Sequence, residues 1–483
     1  MDAPPPRFNM AAFVLAQAGV RADHPALIVP GRTVLTYDQL EARIRATATG
    51  LLRLATPGDR VLLRLGNTPD FPVAYLACIA VGLIPVPTSA QLTEAEVATI
   101  VADLSPALTI QAPDLPAART LQVSVEAMRD MADLPPAEFT FGDPDRPAYI
   151  VYTSGTSGKA RAVVHAHRAI WARRSMRAGW TDLGPDDRLL HAGAFNWTYT
   201  LGTGLMDPWT VGATAIVPPD GTAAEALPDL LARERATIFA AAPGVYRRTL
   251  RTKLPPLPDL RHGLSAGEKL PQTLRNAWQA ATGTEVHEAF GLSECSTFLS
   301  GAPARPAPEG TLGFPQPGRW VSIRPSGEIA VHRDDPGLML GYYGQPEETA
   351  ARYDGDWFLT GDEGVQNPDG SIAYTGRADD QMNAGGHRVS PIEVEAVLAT
   401  HPAVTEVACA EVRLRDDLSL IAGFYVAAGV LDEAELTAHA RAQLAAYKVP
   451  RLWVRVTALP RGVNNKVLRR RLRQDWETAH GQA

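Results

Sequence analysis

The feature of this sequence that most constrains its fold is the alternation of short apolar segments with helix-like segments over residues 35–110. Apolar runs such as DRVLLRL, IPVP and ALTIQA are separated by segments with helical spacing, including the one from Glu94 to Leu104. Such alternation is typical of α/β bodies in which most strands are parallel. The pattern resumes in AYIVYTS, ATAIVPP, ATIFAA and GTEVHEAF. We therefore predict a large α/β body built on a largely parallel sheet.

The sequence changes character twice along the rest of the chain. Residues 301–375 are rich in glycine and proline and contain short strands, which predicts a β-rich subdomain. Near residue 376 the polar segment GRADDQMNAGGHRVS is typical of a turn or linker. A helix, two strands, a helix and a strand are predicted after it. We therefore assign residues 1–377 to a large N-terminal domain and residues 378–483 to a small α+β domain.

Composition excludes several classes of protein. Apolar residues make up 45% of the chain, enough to build a core, so extensive disorder is excluded. The formal net charge of −7 argues against a general nucleic-acid binder. Cys78, Cys295 and Cys409 are far apart and form no CxxC pair, which argues against disulfides and a cysteine-built zinc site. A reducing cytoplasm is the predicted location.

Two apolar segments could be mistaken for targeting or membrane signals. The segment from Ala11 to Ala18 follows MDAPPPRFNM, which lacks the basic start of a secretory signal peptide. The segment from Phe71 to Pro87 is uncharged, but it is short and contains prolines at 72, 85 and 87. We predict a buried helix over 73–82 that leads into the strand IPVP, and no membrane partner.

Lysine is rare in this chain, with 5 lysines against 41 arginines. A lysine supplies a compact ammonium on a flexible stem, which arginine cannot reproduce. One of the five, Lys159, ends the segment YTSGTSGK, which directly follows the strand AYIV and precedes a predicted helix near Arg168. Small hydroxylated residues let backbone N–H groups approach phosphate oxygens. The segment is not a Walker A loop, because Thr153 and Ala160 stand at two of its defining positions.

Six segments in order resemble motifs of the acyl-adenylate-forming superfamily of AMP-dependent synthetases and ligases. The phosphate loop YTSGTSGKARAVVH is the first. The others are LSAGEKLP (264–271), AFGLSE (289–294), TGDEG (360–364), GRADDQMNAGGHRVSPIEVE (376–395) and LPRGVNNKVLRR (459–470). The stretches TEVHEAFGLSECSTFLSG and HRVSPIEVEAVLATHPAV look most like benzoate-type acyl- and aryl-CoA ligases.

This resemblance implies a fold, a reaction and a set of cofactors. The fold would be the adenylate-forming two-domain α/β type, with a mobile C-terminal domain. A small carboxylic acid would react with ATP to give acyl-AMP and pyrophosphate. CoA would then displace AMP to form the thioester. ATP, Mg²⁺ and CoA are the implied cofactors, and a homodimer is a further expectation.

The resemblance also implies a role for each matching residue in the nucleotide site. Lys466 resembles the catalytic lysine that bridges the carboxylate and the α-phosphate, and Glu294 resembles the magnesium ligand. Asp362 and Arg377 resemble the ribose and phosphate contacts, and Asp379 resembles the hinge residue. The remaining nucleotide contacts would be Thr153, Ser154, Gly155, Thr156, Ser157, Gly158, Lys159, Gly267, Glu268, Lys269, Glu288, Ala289, Phe290, Gly291, Leu292 and Ser293.

Two other subsites follow from the same resemblance. Gly385, Gly386 and Arg388 resemble the loop that lines the pantetheine tunnel, and Arg441 stands where some CoA ligases contact the nucleotide of CoA. Trp197, Thr198 and Tyr199, with Gly291, are the candidate acyl-pocket residues, and Ser296 and Thr297 would add hydroxyl contacts. Since none of these side chains is charged, we expect an acid with an uncharged tail.

Departures from the pattern leave the exact acid and the final acceptor open. The stretch ECSTFLSG after the magnesium motif is one residue shorter than in benzoate-type ligases and lacks their histidine, which puts benzoate itself in question. An adenylation enzyme that loads a carrier protein is one alternative. A catalytically silent acyl-adenylate-binding protein is another, although intact Lys466, Glu294 and Asp362 count against it.

Overall fold

The computed structural model describes residues 2–115, 118–153, 161–378, 380, 382–384, 387–415, 418–462 and 467–480. The chain divides into two compact units. The first comprises residues 1–321 and 331–358, and the second comprises residues 322–330 and 359–483. The predicted boundary at residue 378 falls inside the second unit, and it stays a prediction about which segment moves.

The strands, in chain order, are β1 (Pro25–Val29), β2 (Thr33–Thr36), β3 (Arg60–Arg64), β4 (Ile84–Pro87), β5 (Leu108–Gln111), β6 (Leu121–Ser124), β7 (Pro147–Thr153), β8 (Arg161–Ala166), β9 (Arg188–Ala192), β10 (Thr214–Ile216), β11 (Ile238–Ala241), β12 (His262–Ala266), β13 (Val286–Leu292), β14 (Ser296–Ser300), β15 (Phe314–Pro315), β16 (Val321–Ile323), β17 (Glu328–His332), β18 (Gly341–Tyr342), β19 (Tyr353–Asp354), β20 (Trp357–Gln366), β21 (Ile372–Arg377), β22 (Met382–Ala384), β23 (His387–Val389), β24 (Glu406–Arg415), β25 (Leu418–Val426) and β26 (Leu452–Arg455).

The α-helices, in the same order, are α1 (Met10–Val14), α2 (Tyr37–Leu51), α3 (Asp70–Ala80), α4 (Glu94–Leu104), α5 (Val125–Arg129), α6 (Ala169–Ala172), α7 (Arg174–Met176), α8 (Thr198–Leu201), α9 (Asp207–Val211), α10 (Leu227–Arg233), α11 (Pro243–Thr249), α12 (Gln272–Thr282), α13 (Pro346–Ala350), α14 (Pro391–Leu398), α15 (Glu433–Arg441) and α16 (Arg469–His480).

The helices α3 and α4 form where the sequence predicts helices, and α2 precedes them in the chain. Thr36 and Thr93 each begin a helix with a capping box, in which the threonine hydroxyl accepts from a backbone N–H and the third helical residue's side chain accepts in return. Every residue of α3 is buried, as expected for a helix that is apolar on all sides. It leads into β4, so the predicted buried helix and following strand are confirmed.

The first unit is organised around a large sheet. Among the described residues, nine strands pair in the order β15-β14-β13-β12-β11-β9-β10-β1-β2, and the central pairs are parallel. A second, parallel sheet has the order β4-β3-β5-β6. The predicted α/β body with a largely parallel sheet is confirmed. The carboxyl ends of β9, β11, β12 and β13 meet at one edge, where ligands commonly bind in such sheets.

The second unit contains a sheet of order β24-β25-β26 covered by helices. Leu472 and Trp476 of α16 pack on one face of it with Ala408 and Phe424. Val394 and Leu398 of α14 pack in a separate apolar cluster with Leu436 of α15. This arrangement confirms the predicted α+β module, and α16 is an addition, since the sequence analysis predicted no element after the last strand.

Two local features were not predicted. The helix expected near Arg168 is confirmed, since α6 begins at Ala169, but the segment before it forms the strand β8, antiparallel to β7, so residues 154–160 lie in sequence between two paired strands. The alternation in RAVVHA is too short to define a strand from the sequence alone. Residues 382–384 and 387–389 of the predicted linker also pair, as strands β22 and β23.

In the part of the chain that the structure describes, no helix has the length and apolar character needed to cross a bilayer. Cys78, Cys295 and Cys409 are all buried free thiols. Burial raises the pKa of each of these thiols above its usual range. These cysteines are therefore core residues, in agreement with the sequence expectation that they form no disulfide.

Candidate active site

Three loops at the carboxyl edge of the large sheet bring predicted site residues together. One follows β9 and carries Trp197, another follows β12 and carries Gly267, and the third is the turn between β13 and β14. The strands are neighbours through β11, because Ala240 pairs with both His191 and Leu264. The predicted acyl and adenine loops therefore lie next to each other in the first unit.

The β13–β14 hairpin holds the predicted adenylate motif in a fixed backbone shape. A Cβ built at Gly291 would lie 2.1 Å from the carbonyl oxygen of Ser296, so any side chain there would collide with the returning strand. Ala289 is buried in the sheet, whereas Phe290 is partly exposed and meets Phe298 edge-on at 5.6 Å. Phe290 is thus available to stack on a base, and Leu292 and Ser293 are also partly exposed.

Glu288 holds the predicted adenine loop, residues 264–271, in place through hydrogen bonds. Its carboxylate accepts hydrogen bonds from the backbone N–H of Leu270 at 3.0 Å and from Arg275 at 2.6 Å. Burial raises the pKa of Glu288, while the guanidinium of Arg275 opposes that rise. This carboxylate positions the loop of Gly267, Glu268 and Lys269, and its direct contact with a nucleotide stays a prediction.

Trp197 and Gly267 form one wall of the candidate acyl pocket. Gly267 has a positive φ of 94°, and a Cβ built there would lie 2.4 Å from Cζ2 of Trp197. Trp197 is partly exposed and meets Tyr199 edge-on at 5.6 Å. Tyr199 is buried, and its hydroxyl donates to the carbonyl of Leu264 at 3.0 Å. Trp197 can therefore face a ligand, while Tyr199 supports it from the core.

Glu294, the predicted magnesium ligand, is partly exposed and is held at two points. Its Oε1 accepts from the hydroxyl of Tyr342 at 2.9 Å, and its carbonyl accepts from the N–H of Met339 at 2.7 Å. Burial and the charge of Glu294 raise the pKa of Tyr342. Among the described residues, no group of three or more histidine, cysteine or acidic side chains could hold a metal. A single carboxylate fits Mg²⁺ that is held mainly by nucleotide phosphates and water.

In the second unit, Asp362 is buried and bonded through both carboxylate oxygens. Tyr374 donates to Oδ1 at 2.8 Å, and Arg377 donates to Oδ2 at 3.1 Å. A Cβ built at Gly361 would lie 2.9 Å from the Arg377 guanidinium, which explains the glycine in the TGD turn. The predicted pair of Asp362 and Arg377 is thus in direct contact. Tyr374 was missed, because nothing in SIAYTG marks its hydroxyl.

Several predicted site residues lie outside the described residues, namely Ser154, Gly155, Thr156, Ser157, Gly158, Lys159, Asp379, Gly385, Gly386 and Lys466. The backbone of Thr153 ends β7, and that of Arg388 lies in β23. Arg441 ends α15 and is exposed. The roles of all these residues stay predictions.

The sequence interpretation missed a buried ion pair behind the acyl pocket. Arg173 donates to both carboxylate oxygens of Asp207 at 2.7 and 2.6 Å, and to Oγ of Ser296 at 2.6 Å. A cation therefore does lie next to a candidate pocket residue, although Asp207 neutralises it. The sequence offers little signal for this pair, because Arg173 stands beside Arg174 and only Asp207 interrupts an apolar segment.

Comparison with known proteins agrees with this arrangement of motifs. The family model of AMP-binding enzymes matches residues 14–343, and that of the AMP-binding enzyme C-terminal domain matches residues 393–466. The chain therefore belongs to the AMP-binding enzyme family, and its class is that of the AMP-forming acid–thiol ligases.

Similar proteins extend over nearly the whole chain. An anthranilate–CoA ligase of Pseudomonas aeruginosa is 31% identical, with 92% of this chain and 93% of that protein covered. A 3-hydroxybenzoate–CoA ligase of Aromatoleum is 29% identical, with 94% of each covered. The crystal structure of an anthranilate CoA ligase with anthranoyl-AMP superposes with a TM-score of 0.88 at 26% identity, covering 99% of both chains.

Proposed function

We propose that this ligase activates a small aryl or cyclic carboxylic acid as its acyl-AMP and transfers the acyl group to CoA. The observation that carries the proposal is the wall made by Trp197 and Gly267 beside the 289–294 hairpin. An indole packed directly on a glycine backbone gives an apolar wall, which suits a flat apolar ring. The names of similar proteins, which act on benzoate, hydroxybenzoate and anthranilate, support the same class.

The first half-reaction joins the acid to AMP. A carboxylate oxygen attacks the α-phosphorus of ATP, and the bond to pyrophosphate breaks. Negative charge builds where these anions meet, so cationic and hydrogen-bonding groups lower the barrier. We assign the cation to Lys466, the hydroxyl contact on the α-phosphate to Ser293, and the ribose contact to Asp362 with Arg377. Glu294 would hold Mg²⁺, which neutralises phosphate charge when bound.

The second half-reaction consumes the mixed anhydride. The CoA thiol loses its proton to solvent, its sulfur attacks the acyl carbon, and the bond to AMP breaks to leave a thioester. Division into two steps turns a poor electrophile into a reactive one. We assign the hinge between the two steps to Asp379 and the CoA contacts to Gly385, Gly386, Arg388 and Arg441.

The test is a panel of acids assayed for AMP and thioester formation with purified enzyme, ATP, MgCl₂ and CoA. Benzoate, furoate-like acids and cyclohexenyl acids should exceed butyrate, malonate, palmitate and an α-amino acid in kcat/KM. A preference for malonate, palmitate or the amino acid would overturn the acid assignment. Pyrophosphate release without CoA consumption would favour carrier-protein loading, and no release with any acid would favour a silent adenylate-binding protein.

Two further parts of the proposal concern the protein in the cell. We place it in the cytoplasm, which its buried free thiols favour, and we expect a homodimer. Light scattering on the purified protein tests the dimer, and cell fractionation tests the compartment.

A further inference from the structure

A small cavity lies in the first unit and shares lining residues with the candidate acyl pocket. Its volume is about 10 Å³, which accommodates roughly one water-sized group. The polar residues that line it are Tyr149, His165, Arg173, Thr198 and Ser296. Thr198 and Ser296 are also candidate acyl-pocket residues and are partly exposed, so this cavity adjoins the candidate pocket. A substituent one heavy atom long is therefore the largest group that this space can take from a bound acid.

Ser296 is fixed as a hydrogen-bond donor. Its Oγ accepts from the guanidinium of Arg173 at 2.6 Å, and Asp207 holds that guanidinium through two further bonds. A hydroxyl that already accepts from a cation has its own hydrogen left to donate. Ser296 also has a positive φ of 57°, which is uncommon outside glycine. The backbone conformation that places this side chain is therefore strained.

His165 is fixed as an acceptor. Its Nε2 lies 2.7 Å from the carbonyl oxygen of Ser293, and a carbonyl only accepts, so Nε2 carries the hydrogen. Burial lowers the pKa of His165 to about 4, so the ring is neutral at pH 7. Its Nδ1 therefore has a lone pair, and this atom is buried without a hydrogen-bond partner in the described part of the chain.

We propose that this cavity is the subsite for a hydroxyl substituent on the acid, with Ser296 as the donor to it and His165 Nδ1 as the acceptor from it. A hydroxyl both donates and accepts, so it satisfies both groups. An aromatic amine can donate to His165, but its conjugated nitrogen is a poor acceptor for Ser296. A hydrogen or a methyl group satisfies neither. This proposal rests on the proposed function and deepens it, because it names a hydroxyaryl acid as the substrate class.

The hydrogen bond between His165 and Ser293 also links the subsite to the predicted adenylate motif. Ser293 belongs to the adenylate motif, and Ser296 follows Glu294 by two residues. The subsite therefore lies beside the hairpin to which the reacting carboxylate would bind.

The experiment measures kcat/KM for AMP formation with benzoate and with the three isomers each of hydroxy-, amino- and methylbenzoate. The wild-type enzyme should prefer one hydroxybenzoate over benzoate and over the matching methylbenzoate by about tenfold or more, since unpaired buried polar groups penalise the analogues. Ser296→Gly and Ser296→Ala both remove the hydroxyl but differ in backbone strain. Both should reduce this preference to within about threefold.

Ser175→Ala is the matched control, because Ser175 is a buried serine near Arg173 that does not line the cavity. It should keep the wild-type preference. A wild-type enzyme that forms benzoyl-AMP but discriminates less than about threefold among all these acids would overturn the subsite and leave the proposed function standing. An equal loss for every acid in both Ser296 variants would also overturn it, and no AMP from any acid would overturn both.

Discussion

Tyr342 donates its phenolic hydrogen to Oε1 of Glu294 across 2.9 Å. Tyr342 belongs to β18, which pairs with β8 through Val163. Since β7 and β8 flank the predicted phosphate loop, this bond ties the candidate magnesium ligand to the hairpin that carries that loop. Tyr342 and Glu294 are 48 residues apart in the chain, yet this contact holds the candidate magnesium ligand and the β7–β8 hairpin together within the first unit.

Tyr342→Phe should weaken the use of magnesium. Without the phenol, the carboxylate of Glu294 loses its orientation, and the apparent KM for Mg²⁺ should rise about three- to tenfold, in line with the loss of a single charge-assisted hydrogen bond. Initial rates at varied MgCl₂ and saturating ATP measure this. Tyr343→Phe is the control, because Tyr343 contacts Arg60 instead. An unchanged magnesium response in Tyr342→Phe would contradict the assignment.

Lys466→Ala should lower the rate of acyl-AMP formation by several orders of magnitude. It should leave the rate of thioester formation from supplied acyl-AMP unchanged. The reason is that a cation is needed where carboxylate and phosphate meet, and not where the thiol attacks. Single-turnover assays of the two half-reactions separate these effects. Loss of both to the same extent would refute this division. Acetylation of Lys466, which removes the charge, should have the same effect.

Asp379→Pro should separate the half-reactions in the opposite sense. Proline holds φ near −65°, so a hinge at this position would stay in one state. Adenylation should survive, and thioester formation should fail. Unchanged steady-state CoA ligation in this variant would show that residue 379 is not the hinge.

Removal of one partner of the Arg173–Asp207 pair should destabilise the fold strongly. Both side chains are at most about one-tenth exposed, so Arg173→Met or Asp207→Asn leaves a buried charge unpaired at a cost of about 3–5 kcal/mol in the free energy of unfolding. The double variant should lose less than the sum of the two. Urea denaturation of all three variants measures this coupling, and strictly additive losses would argue against it.

The free energy of unfolding should fall as the pH drops below about 6.5. Burial lowers the pKa of His165 and His287 to about 4 and of His167 and His191 to about 3. Between these values and 6.5, the unfolded chain binds protons that the folded chain does not. Each histidine therefore contributes a slope of about 1.4 kcal/mol per pH unit in that window, and its full stabilisation is present above pH 6.5.

Urea titrations from pH 8 to pH 4.5 measure this slope. The variant His287→Gln should lower the slope by about 1.4 kcal/mol per pH unit, the contribution of one histidine, because a glutamine does not titrate. A free energy of unfolding that stays level from pH 7.5 to pH 5 would contradict the assignment of these rings as buried and neutral.

The sequence predicted elements that depend on local pattern. The predicted start of helix α3 lies within three residues of the observed one, because an unbroken apolar segment with flanking prolines leaves few alternatives. Gly267, Gly291 and Gly361 all lie within the motifs identified from the sequence, and at each of them another group occupies the space where a Cβ would stand.

Contacts between distant segments were not predictable in the same way. The pairing of Arg173 with Asp207 spans 34 residues, and that of His165 with Ser293 spans 128. Each partner alone looks like an ordinary polar residue, and its sequence neighbours give no sign of the partner. Strand β8 was missed for a related reason, since its short alternation is defined as a strand only by its pairing with β7.

The collision that any side chain at Gly291 would make with Ser296 has a consequence for laboratory evolution. Because that collision is with backbone, no compensating substitution nearby can relieve it. A mutant library aimed at new acids should therefore keep position 291 invariant and randomise positions 197, 198 and 296. Enzymes retargeted in this way would inherit the adenylation geometry intact, and only the shape and polarity of the acyl chamber would diverge.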